Sequence, residues 1–160
     1  MNEPPLMTSR AEFVAAVHWG VQAAAERGAR RLCFVDPNFA DWPLESPALL
    51  ELLTTWLRLP QRQVVLLAET FEEVVRFKPR FVVWRRSWAH AIQAWSPHDL
   101  PANLPTVLVD DGPVCVVLAD RLHWRGRAAA DARDAQRQRE QIDAVLQRSE
   151  PAFPVNNLGL

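Results

Sequence analysis

The side chains of this sequence that could do chemistry gather in three places. The first is a basic stretch, Arg76, Lys78, Arg80, Arg85 and Arg86, followed by His90. On a helix Arg86 and His90 stand four apart and share a face, with Gln93 beside them. Arg80 falls near the start of that helix, where unpaired backbone N–H groups favour anions. Arg80, Arg85, Arg86 and His90 therefore form a candidate anion site for a phosphate, a carboxylate or a nucleic-acid backbone. The plainer alternative is a solvated helix face whose arginines pair with Glu72, Glu73 or the acidic N-terminal half.

The second place is Asp36, Asp110, Asp111 and Asp120 with His123 and Arg125. Asp36 directly follows a predicted strand, and residues just past strand C-termini collect at the edge where α/β sheets bind ligands. Asp110 and Asp111 are sufficiently explained by a turn, and no further ligand stands at metal-binding spacing, so no metal site is predicted. The third place is Arg121, His123, Trp124 and Arg125, with Arg127 beyond. An exposed Trp among arginines has the composition of an interaction hot spot. Alternatively Trp124 packs under the final helix and leaves the arginines in water. Trp42 also stands outside the clear core stripes.

Nucleophilic catalysis finds little in this chain. Cys33 and Cys115 both fall in predicted buried strands, where a thiol behaves as a small hydrophobe. Ser87 and Ser96 lie near His90 and His98, but no nucleophile-elbow glycines surround them. There is no Gly-rich phosphate loop and no His-Glu-x-x-His, so no catalytic residue and no cofactor is assigned. A net charge of −1 argues against wholesale coating of nucleic acid, although a local patch remains compatible with it. No apolar run reaches membrane-span length, and the opening MNEPPLMTSRAEF lacks the layout of a signal peptide, which points to the cytoplasm and away from the membrane.

The elements that must position these groups follow from periodicity and caps. A length of 160 residues bounds a single domain. Residues 1–8 read as a loose N-terminus. Ser9 and Glu12 form a capping box for a helix whose stripe is Phe13, Val17, Val21 and Ala24, closed by Gly28. Arg31–Val35 is a buried strand, Ser46-Pro47 opens a second helix, and Gln63–Ala68 is the next strand. Thr70 and Glu73 form a second capping box for a short helix that Pro79 interrupts. Phe81, Trp84, Trp88, Ile92 and Trp95 then recur at helical spacing, which predicts one helix with three tryptophans on roughly one face, stopped by Ser96-Pro97.

Thr106–Val109 and Val114–Leu118, joined through Asp-Asp-Gly-Pro, read as a hairpin inside a covered sheet, with Gly112 supplying the positive φ of its turn. Arg121–Arg127 adds a more exposed strand, and Asp131 starts a final helix reaching about Arg148. Residues 151–160 form an apolar tail, expected to dock back on its own domain, with a waiting partner site as the alternative. The expected fold is α/β, a mixed and mostly parallel sheet covered by helices on both faces.

This order of elements carries a resemblance. A strand ending in DPNFADW, a helix, the strand QVVLLA, a helix running KPRFVVWRRSWAHAI and the hairpin VLVDDGPVCVVLADR resemble half of a phospholipase-D-like domain, over about residues 10–148. The layout is similar to bacterial domains found behind acetyltransferases of the GNAT class. In that superfamily a late strand carries His-x-Lys-x-x-x-x-Asp, with His attacking phosphorus and Lys stabilising the phosphoryl charge. With Asp110 or Asp111 at the Asp position, the His position falls on Asn103 or Leu104 and the Lys position on Pro105 or Thr106. Lys78, the only lysine, lies far upstream.

The resemblance thus implies the fold without the chemistry. It suggests a non-catalytic binding or accessory module that pairs with itself as a homodimer, after the two-half layout of the superfamily, or with an acetyltransferase-like enzyme. An anion- or nucleic-acid-binding protein using the arginine patch is the alternative. An enzyme using Asp36 with His90 or His123 is a third, and it requires those side chains to converge.

Overall fold

The computed structural model describes residues 3–154. Helix α1 spans Arg10–Glu26, and the box at its start forms largely as its residues dictate. Ser9 Oγ accepts from the Glu12 N–H at 3.1 Å, while the Glu12 carboxylate reaches back to the Thr8 N–H at 2.9 Å. Gly28, at φ +78°, closes the helix in the left-handed region that an L side chain resists. Strand β1 (Arg31–Val35) leads to α2 (Pro47–Leu57), whose first turn is capped by Ser46. Strand β2 (Gln63–Leu67) follows, then α3 (Glu72–Phe77) and α4 (Pro79–Arg86), separated at Lys78 by the following proline. The chain continues through β3 (Ile92–Pro97), β4 (Thr106–Asp110), β5 (Val114–Asp120) and β6 (Arg125–Ala130), and ends with α5 (Ala132–Leu146) and β7 (Ser149–Pro151).

One seven-stranded sheet results, in the order β6-β5-β4-β1-β2-β3-β7. β1, β2 and β3 are parallel, and every other pairing is antiparallel. The near-continuous apolar strands alternate between two cores, as covered strands must. Leu32, Phe34, Leu66, Leu108 and Val116 face the layer of α1 to α4, while Val35, Leu67, Val107, Val109 and Cys115 face α5 through Ala135 and Ile142. The expected mixed sheet with helices on both faces is thus present, but it is not mostly parallel: only the strands joined by crossover helices, β1, β2 and β3, run parallel, while β4 to β7 all add antiparallel.

Several local expectations are corrected. The helix expected to run to Trp95 ends at Arg86, and Ile92–Trp95 pair with Val64–Leu67. Pairing gives β2 its second neighbour, and the alternation buried Ile92, exposed Gln93, buried Ala94 was a strand signal inside an apparent helical period. The three tryptophans therefore do not share a face. Trp84 and Trp88 pack on the α1–α4 side and Trp95 on the α5 side. The exposed strand begins at Arg125 instead of Arg121, because Asp120 Oδ1 accepts from the N–H groups of Leu122 and His123 and bends the chain first.

Further corrections concern the caps and ends. Thr70 Oγ1 accepts from the Glu72 N–H, but Glu73 completes no box. The N-terminus is pinned at Met7, which is buried and accepts from Gly126 N–H through its carbonyl. Of the tail, Pro151 pairs with Trp95 of β3, extending a pairing that Ser149 and Glu150 begin, and Phe153 is buried; residues 155–160 lie outside the described residues.

The hairpin turn joins all three layers. Asp110, whose side chain is fully buried, accepts from the N–H groups of Gly112 (2.8 Å) and Val114 (3.0 Å) and from Arg27 at the end of α1 (2.9 Å). Arg139 of α5 donates to the carbonyls of Asp110 and Gly112 from the other side, at 2.9 and 2.6 Å. Gly112 does not carry the positive φ expected of it. A Cβ there would meet the Arg27 guanidinium at 2.2 Å, so a larger residue would have to push the end of that side chain away from Asp110.

Burial raises the Asp110 pKa despite these donors, so its charge is a cost that its acceptor geometry offsets. Asp110→Ala, which orphans the buried Val114 N–H, is expected to cost about 3 kcal/mol, whereas Asp110→Asn keeps an acceptor and stays within about 1 kcal/mol of the parent in urea unfolding.

Candidate ligand-binding site

A cleft of about 610 Å³ opens between α3–α4 on one side and Ser96 of β3 and the segment after β7 on the other. Phe71, Val75, Val82, Ala152 and Phe153 give it apolar walls, and Glu72, Arg76, Arg86 and Ser96 are its polar groups. Phe71 follows β2 and Ser96 lies near the end of β3, so the cleft borders the C-terminal edge of the parallel strands. Pairing of β7 with β3 brings the tail there, and the Ala152 N–H donates to the Ala94 carbonyl at 2.9 Å.

Phe153 is the anchor of this wall. Its ring stacks on Phe71 at 5.1 Å and 15°, and the Arg85 guanidinium lies 4.2 Å from its centroid. Arg85 also donates to the Phe153 carbonyl. Phe153 holds φ +50°, a strained value for an aromatic residue that this set of contacts enforces. Arg85 itself is buried, its Nε has no hydrogen-bond partner among the described residues, and burial lowers its pKa.

The four residues of the expected anion site are therefore dispersed. Arg80 donates to the Glu45 carbonyl at 3.0 Å, Arg85 is buried behind Phe153, and Arg86 lines the cleft. His90 is exposed in the turn leading into β3, with its ring 6.0 Å from that of Trp88, and shares no helix face with Arg86. Arg76, from the same basic stretch, joins Arg86 in the cleft instead. The signal that could have placed it was the aromatic Phe153 in the apolar tail, which needed a strand edge to dock on.

At the end of β1 a smaller site of about 50 Å³ is lined by Asp36, Asp41, Thr106, Arg121 and Trp124. The buried Asp36 carboxylate accepts from the Thr106 hydroxyl and from the N–H groups of Asn38 (3.1 Å) and Phe39 (2.7 Å), with Arg121 at 3.6 Å. His90 stands before β3, at the opposite end of the parallel strands from Asp36, and His123 turns to Asp120 at 2.9 Å. The acid–histidine constellation does not assemble. Both thiols are buried, with Cys33 pushed up to about 11 and Cys115 to about 12, chiefly by desolvation.

The expected interaction surface is part of this corner. Trp124 is half-buried against Phe13 of α1 at 5.8 Å, and so packs away from the final helix. Arg121 also donates to the Leu104 carbonyl, while His123 and Arg125 are exposed. Trp42 is buried among Phe13, Phe34 and Phe39. Among the described residues no cluster of three or more His, Cys, Asp or Glu is placed to hold a metal, and no helix is long and apolar enough to cross a membrane.

No protein-family model and no curated protein matches the chain. Its fold is similar to that of TrmBL2, an archaeal chromatin protein whose structure shows a novel mode of DNA binding, with a TM-score of 0.62 and 11% sequence identity. The match covers 95% of this chain and 56% of that one, so this chain spans little more than half of that protein's length. At this identity the likeness is one of fold alone.

On the α5 side of the sheet, Arg127 forks onto Asp134 at 2.7 and 2.9 Å, fastening β6 to α5. The Arg127 hydrogen bonds hold the Asp134 carboxyl below the usual carboxylate range. A depressed folded value stabilises above the ordinary Asp pKa and loses that contribution as the pH falls through the lowered one. Asp134→Asn should lower stability at pH 7 by about 1–2 kcal/mol and flatten the acid limb of the stability profile, read from urea midpoints between neutral and acid pH.

Proposed function

We propose that this chain is a phospholipase-D-like binding module that holds a small ligand in the cleft between α3–α4 and the segment after β7, and performs no phosphodiester chemistry of its own. The observation that carries the reading is the cleft. Its volume lies in the usual range of ligand sites, its walls are mainly apolar with a few convergent polar groups, and it borders the carboxyl edge of parallel strands. The β–α–β succession running into the antiparallel β4–β5 hairpin supports the family reading.

The positions of the superfamily's His and Lys favour binding over catalysis. They fall on the segment Asn103–Thr106, which carries neither residue. The Lys78 ammonium is buried instead at the α3–α4 junction, donating to the Trp42 carbonyl at 3.0 Å, and desolvation lowers its pKa. In this reading any chemistry belongs to a partner, a second copy or an acetyltransferase-like enzyme.

DNA binding is the second reading, favoured by the fold likeness to a chromatin protein. It would use exposed arginines such as Arg76, Arg86 and Arg125, whereas Arg10, Arg27, Arg31, Arg121 and Arg127 are engaged with carboxylates. Salt separates the two readings, since phosphate-backbone contacts release counterions and weaken steeply as salt rises.

Titration with the uncharged dye N-phenyl-1-naphthylamine tests the cleft directly. Saturable fluorescence enhancement is expected, and Val75→Trp, at a residue 55% exposed on the cleft wall, should weaken it about tenfold or more by filling the site while the thermal midpoint holds. An absent or Val75-independent signal would overturn the reading.

A further inference from the structure

We infer that the ligand of the cleft is an amphiphilic anion, a single carboxylate or phosphate monoester on an apolar body, gripped by Arg76 and Arg86. The inference rests on the reading of the cleft as a ligand site and adds the chemistry of what fills it. Two guanidiniums line the cleft from different helices, and neither makes an ion pair or a hydrogen bond with a described residue; Arg76 only approaches the Phe77 ring, at 5.9 Å. Most other arginines of the fold are committed, so an uncommitted pair facing one concavity stands apart.

Behind the same wall lies a third cation. Arg85 is only 4% exposed and, among the described residues, meets no carboxylate and is answered only by the carbonyl and the ring of Phe153, with its Nε left without an acceptor. A guanidinium removed from water without a counter-ion is costly, and its field in the low-dielectric wall extends into the adjoining space. An anion in the cleft supplies the missing negative charge. Among the described residues Glu72 is the one carboxylate on the lining, set against Arg76 and Arg86 there and Arg85 behind the wall. The positive balance therefore survives its presence.

The remaining surface decides the body of the ligand. Phe71, Val75, Val82 and Phe153 offer no hydrogen bond to a sugar or a hydrated ion, and burying an unpaired polar group against them would be unfavourable. An aliphatic or aromatic tail gains from displacing water there. The Ser96 residue, half-buried on the lining, adds a hydroxyl to the polar groups of the same cleft.

Calorimetric titration of the full chain with octyl phosphate, octanol and inorganic phosphate separates head from tail. Octyl phosphate is expected to bind at least about tenfold tighter than either partial probe, and Arg76→Ala and Arg86→Ala should each weaken it by about tenfold, the worth of one charge-assisted hydrogen bond, while leaving octanol binding unchanged. Both substitutions lie on exposed helix positions, so circular dichroism should stay at the parent spectrum.

Equal binding of octanol and octyl phosphate, insensitive to both substitutions, would overturn the anion and leave the apolar ligand site standing. Inorganic phosphate binding as tightly as octyl phosphate would overturn the apolar body. Failure of all three probes would overturn the ligand site and the inference together. Arg86-dependent retention on vesicles containing phosphatidic acid, without binding of monomeric octyl phosphate, would instead assign the face to a membrane surface and contradict the proposal.

Discussion

The buried carboxylate of Asp110 is the point on which the layers of this fold depend. A hairpin turn inside a covered sheet leaves N–H groups that are partly or wholly shut off from water, and one side chain accepts from two of them while engaging Arg27 at the end of α1. Arg139 of α5 closes the same turn from the opposite face through its carbonyls. Helices on both sides are thereby indexed to one strand pair. The register of β4 against β1 then sets where β1, β2 and β3 end, and with it the edge that borders the cleft.

The far side of the sheet is finished by a different device. β3 would be an open edge strand, exposing a row of unpaired backbone groups. Three residues of β7 and the Ala152 amide cover it, and Phe153 locks the cover in place against Phe71 and Arg85. Covering the edge and walling the cleft are thus one event. A buried guanidinium and a strained Phe153 are tolerated because the aromatic stack and the backbone pairing hold them. Binding sites are where such locally unfavourable arrangements collect.

The sequence made the sheet legible because its information was local. Continuous β-branched runs, Ser9, Ser46 and Asp131 as caps, and Pro79 as a breaker each act within a few residues. The stretch from Ser87 to Pro97 is ambiguous in sequence, since Ile92 and Trp95 fit a helical period as well as a strand, and only pairing with β2 decides between them. The cleft was less legible. Arg85 and Arg86 are adjacent in sequence and alike in type, yet one is buried against a phenylalanine 68 residues away and the other lines the cleft. No period distinguishes them; the docking of the tail does. Likewise the Arg27 guanidinium lies where a side chain on Gly112 would begin, a closeness that the turn's own sequence does not contain.

The most direct test of a ligand site in this cleft is amide chemical-shift mapping while octyl phosphate is titrated into the labelled protein. The account predicts perturbations that saturate together and cluster at Phe71–Arg76, Val82–Arg86, Ser96 and Ala152–Phe153, with the Asp36–Arg121 corner unmoved. Perturbations centred on that corner, or running along Arg121 to Arg127 without touching Phe153, would contradict it.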